Sequence, residues 1–418
     1  MLATVVRDPV LLITLLALVL LLLPMFASSA KMALSLTLAS FVFTATLWGT
    51  PAAGALDFRP VAVLGLLFHG VQLGRAPARR YAMSSSAKLL VWTMVGFGTY
   101  SLTTMAWSID PAKTLQSTAA WFLLIALVVV FPRLISGVDI ARMVQSFLIA
   151  ILSVSAVLAL VRYPDAWSGE RVRGIILNPN GLGIFCMFAS PFFLLSPRRA
   201  MKVAWLVPVI LCVFAGSRAA AAGLLVGAAT IMWRSPVRRL RLLAFGALAA
   251  AVYTISLSPS SFLLSGDSSI VLLRDNNSRE QVWQDALAAH TAQPWFGVGM
   301  GALPTESGSS YLKVLSECGY IGLALAAVTL VAVLRLVWPS PLACSFLVAG
   351  IVDAAFEGWL FTAGSVYAVF FFLIAFSSVA QGADDSPLEP VRGFTPGKNS
   401  SWRISADSTP VTLGPIRD

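Results

Sequence analysis

The sequence predicts an all-α, polytopic integral membrane bundle with one large extracytoplasmic loop. Three observations predict it. Hydrophobic residues make up 58% of the chain and charged residues only 11%, with a mean hydropathy of +0.83, whereas soluble domains carry about a quarter charged residues. Apolar segments of roughly the 20 residues that a bilayer demands recur from residue 9 almost to residue 380. These segments lack the period-two alternation of barrel strands, so the spanning elements are helices.

Taken in order, the candidate spans are 9–26, 32–48, 89–107, 114–131, 143–161, 180–196, 202–216, 218–233, 240–257, 319–337, 341–354 and 362–380, or about 12. The first follows Arg7 and precedes Ala27-Ser28-Ser29-Ala30; it is longer than the apolar region of a signal peptide and is read as a retained helix. Segment 56–73 begins among Asp57, Arg59 and Pro60 and is read as interfacial or re-entrant, which leaves both termini cytoplasmic. A membrane domain, 1–383, thus contains the large loop, 258–318. The tail, 384–418, is rich in Pro, Ser, Gly and Asp and reads as a disordered cytoplasmic extension.

The net charge of +10 does not indicate nucleic acid, because the basic residues sit in short loops between spans. Arg75, Arg79, Arg80, Lys88, Arg133, Arg142, Arg198, Arg199, Lys202, Arg234, Arg238, Arg239, Arg241 and Arg335 fall on one side by alternation, which is read as the cytoplasm. Cys186, Cys212, Cys318 and Cys344 stand singly in apolar surroundings, without metal-ligand or disulfide spacing. No Asp-x-Asp pair suited to a metal-bound nucleotide sugar occurs in the membrane part, and no cofactor is implied.

Arginines on the opposite side are informative because the topology rule depletes them there. They are Arg162, Arg171, Arg173, Arg218, Arg274 and Arg279. Gly216-Ser217-Arg218 breaks two apolar runs and leads into small residues, so Arg218 either meets a ligand entering from the membrane or snorkels from a helix end. Arg171-x-Arg173 offers a two-guanidinium clamp for phosphate or carboxylate, or is an ordinary surface loop. Asn178-Pro179-Asn180-Gly181 after it reads as a turn, with Asn180 as the cap of the next helix. Arg279 and Trp283 are four apart on a helical run and share a face suited to a phosphate and a sugar ring. Gly297-x-Gly299-x-Gly301 forms either a backbone anion nest or a flexible turn. Asp353 and Glu357, also four apart, line a cavity or reach water near an outer helix end. His69 and His290, each alone, read as structural.

The order of these pieces resembles the O-antigen ligase and O-antigen polymerase superfamily of bacterial membrane glycosyltransferases. The resemblance rests on Arg173-Gly174 with Asn178-Pro179-Asn180, Gly216-Ser217-Arg218, Arg279 to Trp283, Pro294-Trp295-Phe296-Gly297-Val298-Gly299, and Tyr311-Leu312 with Glu317, Gly319 and Gly322, over about 165–335. It implies metal-independent, inverting transfer of a glycan from a polyprenyl diphosphate to a sugar hydroxyl, on the outer face of the cytoplasmic membrane. The implied partners are the lipid-linked glycan, an acceptor glycan, the bilayer and chain-length regulator or export proteins. Carried over, Arg218 and Arg279 bind the diphosphate as charge develops on it, with Arg173 and Arg171 as further contacts; Trp283 and Tyr311 face the glycan.

Ligases of this family carry His-Asn where this chain has Ser309-Ser310. The departure leaves Glu306 as the candidate base, with Glu317 nearby in sequence, and favours a polymerase of a surface or exopolysaccharide over a ligase. A transporter or flippase is the alternative of another class, and a non-catalytic assembly subunit a third. A transporter predicts ionisable residues deep in the spans and a repeat relating the two halves, neither of which the sequence displays.

Overall fold

The computed structural model describes residues 29–46, 83–234, 246, 280–303, 308–362 and 364–384. They form helices α1 (Ala30–Thr44), α2 (Ser85–Thr103), α3 (Pro111–Leu134), α4 (Gly137–Leu160), α5 (Pro179–Leu194), α6 (Arg199–Ala204), α7 (Leu206–Ala215), α8 (Arg218–Trp233), α9 (Glu280–Ala292), α10 (Ser310–Val337), α11 (Pro341–Asp353) and α12 (Val366–Asp384). A short antiparallel hairpin, β1 (Trp167–Ser168) and β2 (Arg171–Val172), follows α4. Ten of the spans expected from hydropathy appear as helices, 202–216 as the pair α6 and α7; 9–26, and 240–257 apart from residue 246, lie outside the described residues. Among the described residues, four helical stretches are long and apolar enough to cross a bilayer: Ser85–Ala106, Pro111–Leu134, Gly137–Leu160 and Ser310–Val337.

Most helices begin where a polar cap meets an apolar run. Ser84, Asp110, Ser136, Asn178, Ser217, Ser309 and Ser340 each accept a backbone N–H of the turn they open, and Pro111, Pro179 and Pro341 follow their caps at the first helical position. The cap of α5 is Asn178, not the expected Asn180.

α5 sits at the centre and is buried from Gly181 to Phe193, as an all-round apolar helix should be. Phe188 stacks on Phe346 of α11 at 4.2 Å, and Phe370, Phe371, Phe372 and Phe376 of α12 complete an aromatic core. α8 and α11 approach closely because their seam is made of small residues: Ser345 donates to the Gly227 carbonyl at 2.7 Å, and a Cβ at Gly223 would crowd Met187 and the Ala349 carbonyl.

Two ends of the bundle are distinct. Arg133, Arg142, Arg234 and Arg335 lie at one end, where Arg234 donates to the Trp338 carbonyl and Arg133 reaches Met83. The turns after α4 and α7, the start of α10 and the chain after α11 gather at the other. α1 corrects the expected alternation. Lys31 at its start pairs with Asp139 at the start of α4 at 2.8 Å, and Thr46 just past its end bridges to Ile176 beyond the end of α4. α1 and α4 therefore run in the same direction, whereas alternation with 56–73 as a re-entrant segment made them opposite. Thr46 and Met83 stand at opposite ends of the bundle; segment 56–73 lies outside the described residues.

The interval expected to be a loop up to residue 318 also differs. Residues 310–318 are helical, and Ser310, Ser316, Glu317 and Cys318 are buried. α10 continues through Gly319, whose φ of 65° and ψ of −167° break the helix geometry there.

Candidate functional site

The polar turns at the end away from the basic loops converge. The β1–β2 hairpin turns through Gly169 at φ 61° and presents Arg171 opposite Ser168. Arg171 Nε donates to the Ala215 carbonyl at 2.8 Å, and Nη2 donates to the Gly216 carbonyl at 3.4 Å and to Asn180 Oδ1. α7 ends at Gly216 in the left-handed conformation (φ 61°), and the guanidinium satisfies carbonyls that a helix end leaves unpaired.

Asn180 passes the connection on. Its Nδ2 donates to Glu357 Oε1 at 2.9 Å. The Glu357 carbonyl accepts from Ser310, from N at 3.1 Å and from Oγ at 2.7 Å, and Ser310 Oγ in turn accepts from Leu360 N at 3.0 Å. Gly181 leaves room for the Tyr367 hydroxyl, which a Cβ would strike. The Asn-Pro-Asn turn, the Gly-Ser-Arg turn, the Ser309-Ser310 turn and Glu357 thus form one bonded cluster.

Arg218 is the first residue of α8, two positions beyond Gly216. It is half-buried and makes no hydrogen bond or ion pair to another described residue. The neighbouring Ser217 is 2% exposed, caps Ala220 N at 3.4 Å and packs against Gly183. Arg173 Nε donates to the Asp165 carbonyl at 2.7 Å. Both arginines of the expected clamp therefore bind protein oxygens, Arg171 through its planar fork.

The remaining expected site residues are more dispersed. The Tyr311 hydroxyl donates to the Ile351 carbonyl at 2.7 Å, tying α10 to α11. Trp283 lies on α9 with its indole N–H buried and unpartnered among the described residues; α9 packs on α10, where His290 meets Tyr320 edge to face at 4.8 Å. Arg279 and Glu306 lie outside the described residues. Ser309 caps α10, and Ser310 is fully buried. Lys313, which no motif singles out, donates to Thr362 Oγ1 at 2.8 Å on the same side of the cluster. Its only sequence signal is a lone cation three residues beyond Ser310.

The glycine run is neither an anion nest nor a free turn. Val298 N donates to the Ser316 carbonyl at 3.1 Å and Gly299 N to the Glu317 carbonyl at 2.9 Å, while Tyr320 N donates to the Pro294 carbonyl at 2.9 Å. Gly297, Gly299 and Gly301 adopt φ of 70°, 110° and 74°. A Cβ at Gly297 would collide with the Glu317 backbone, and one at Gly319 with the Trp295 backbone. The run clasps the break in α10 and occupies the polar groups that the break exposes. Trp107 Nε1 braces it at the Gly297 carbonyl (3.1 Å), and the Tyr100 hydroxyl braces the break at the Cys318 carbonyl (2.9 Å). The buried Glu317 carboxylate accepts the Gly301 N–H and feels the Lys313 charge.

Among curated proteins, none matches the chain. Residues 203–327 match the family model described as O-Antigen ligase. That segment runs from α6 through the Arg218 turn and the glycine clasp into α10, and it includes four of the five pieces on which the resemblance rests, all but Arg173-Gly174 with Asn178-Pro179-Asn180. With its long apolar helices and this matched segment, the chain is an integral membrane protein similar, over 203–327, to the O-antigen ligase and polymerase superfamily.

Proposed function

We propose that this protein joins polyprenyl diphosphate-linked oligosaccharide repeat units into a surface or exopolysaccharide, at the outer face of the cytoplasmic membrane, by metal-independent inverting glycosyl transfer. The observation that carries this reading is Arg218. It is a half-buried cation without a partner among the described residues, on a turn that Arg171 holds, within the segment that matches the family.

In the proposed reaction an acceptor hydroxyl oxygen attacks the anomeric carbon from the face opposite the diphosphate. The bond from that carbon to the diphosphate oxygen breaks, and the diphosphate leaves with the electron pair. Arg218 and Arg279 stabilise the charge that grows on the leaving group, with Arg173 beside them. Arg171 acts by holding the Gly216 turn. Glu306 takes the hydroxyl proton, and Trp283 and the Tyr311 ring face the sugars.

One observation favours a ligase, which transfers the finished glycan to a final acceptor: the matched family is described as O-Antigen ligase. The serines at the His-Asn positions weigh against it, since Ser309 serves as a cap and Ser310 is buried. The deciding experiment is the length profile of lipid-linked and cell-surface glycans in cells lacking the protein. Single repeats accumulating on the lipid identify a polymerase, and long chains stranded on the lipid identify a ligase. An unchanged profile overturns both in favour of a transporter or an assembly subunit.

A further inference from the structure

We propose that Asn180 and Glu357 are positioning residues, which lock the Arg218-bearing turn to the turn that opens α10. The inference rests on the function proposed above and adds residues that act through Arg218.

The geometry is specific. Asn180 stands between a group that only donates, the Arg171 guanidinium, and a group that only accepts, the Glu357 carboxylate. Its amide satisfies both in one orientation alone, with Oδ1 toward Arg171 and Nδ2 toward Glu357. On one side, Arg171 holds the Ala215 and Gly216 carbonyls, three and two residues before Arg218. On the other, the Glu357 backbone holds Ser310 through N and Oγ. The bonded path therefore runs from the Arg218 turn through Arg171, Asn180 and Glu357 to Ser310, joining residues that lie 177 positions apart in its longest step. Hydrogen bonds to charged groups in a partly buried setting are the stronger kind.

Chemistry separates this role from that of a general base. The lock needs an acceptor oxygen at position 357, which glutamine retains, whereas a base needs the carboxylate. At position 180 it needs both a donor and an acceptor, so aspartate fails by facing one carboxylate with another.

The test uses the full chain in lipid nanodiscs, with N180A, N180D, E357A and E357Q. Hydrogen–deuterium exchange is followed over 211–220 and 352–362, alongside transfer of lipid-linked repeat units. We expect N180A, N180D and E357A to speed exchange in both segments and to slow transfer by about tenfold, with E357Q close to the parent in both readouts. Unchanged exchange in 211–220 for both N180A and E357A overturns the lock, as does an E357Q protein that exchanges normally but no longer transfers. If the parent protein transfers no glycan, the proposed function falls and exchange alone decides the lock. Should N180A fail to fold, the pair E357A and E357Q carries the same decision.

Discussion

The two ends of the bundle use polar residues in opposite ways. At the basic end, charges are numerous and shallow: Lys31 pairs with Asp139 at 2.8 Å with 62% of its side chain exposed, and Arg142 stands 3.9 Å from the same carboxylate with 74% exposed. At the other end Lys113 and Asp110 form an exposed pair at 3.5 Å as well, but Asn180, Glu357 and Arg171 are held more firmly, bonded to one another and to helix-end carbonyls. Exposed pairs are screened by water, whereas partly buried, hydrogen-bonded ones are fixed more firmly. The degree of fixation, rather than the number of charges, separates the two ends.

The contrast is most directly broken at Arg218. Alanine there is expected to lower glycan transfer at least about a hundredfold, the scale of losing one preorganised donor to a developing anion, with the thermal midpoint in detergent unchanged. Assay of membranes with lipid-linked repeats checks this, and near-normal transfer would remove the special standing of that end. Next in size is G319A. It forces a side chain into a backbone conformation that only glycine tolerates and into the Trp295 backbone, at a cost of about 2 kcal/mol or more, read as a fall in the thermal midpoint. Smallest is K31A, which should cost less than about 1 kcal/mol and leave transfer intact; a large loss in either would mean that the basic end is fixed as firmly as the other.

Much of the helical frame was legible. Ser, Asn and Asp before apolar runs, with Pro111, Pro179 and Pro341 after their caps, mark helix starts that depend only on neighbours in sequence. Residues 278–290 read as helical from their local pattern, and α9 lies there. Direction was another matter. Hydropathy finds segments but not the way each one runs, and Lys31 against Asp139 reversed the expected sense of α1. The glycine run misled for a related reason: its positive φ angles suit an anion nest locally, but Val298 and Gly299 donate to the Ser316 and Glu317 carbonyls, and Gly301 to the Glu317 carboxylate, in another element. The polar interval likewise gave no sign that 310–318 is helical and buried, because that stretch is polar in sequence and satisfied only by α11, the chain after it and the glycine clasp.

By itself, then, the sequence determined the class of the protein, an α-helical membrane chain, and the positions of most described helices, because burial of apolar side chains and capping act over a few residues. It also supplied the arginines and motifs of the candidate site as separate pieces. Which of them act together follows from contacts made across the bundle. Arg171 became the support of a turn and Asn180 the link between two others, while Arg218 kept a guanidinium without a described partner. Those roles depend on donors and acceptors that meet across the bundle, and a hydrogen bond between residues far apart leaves no mark on the residues between them.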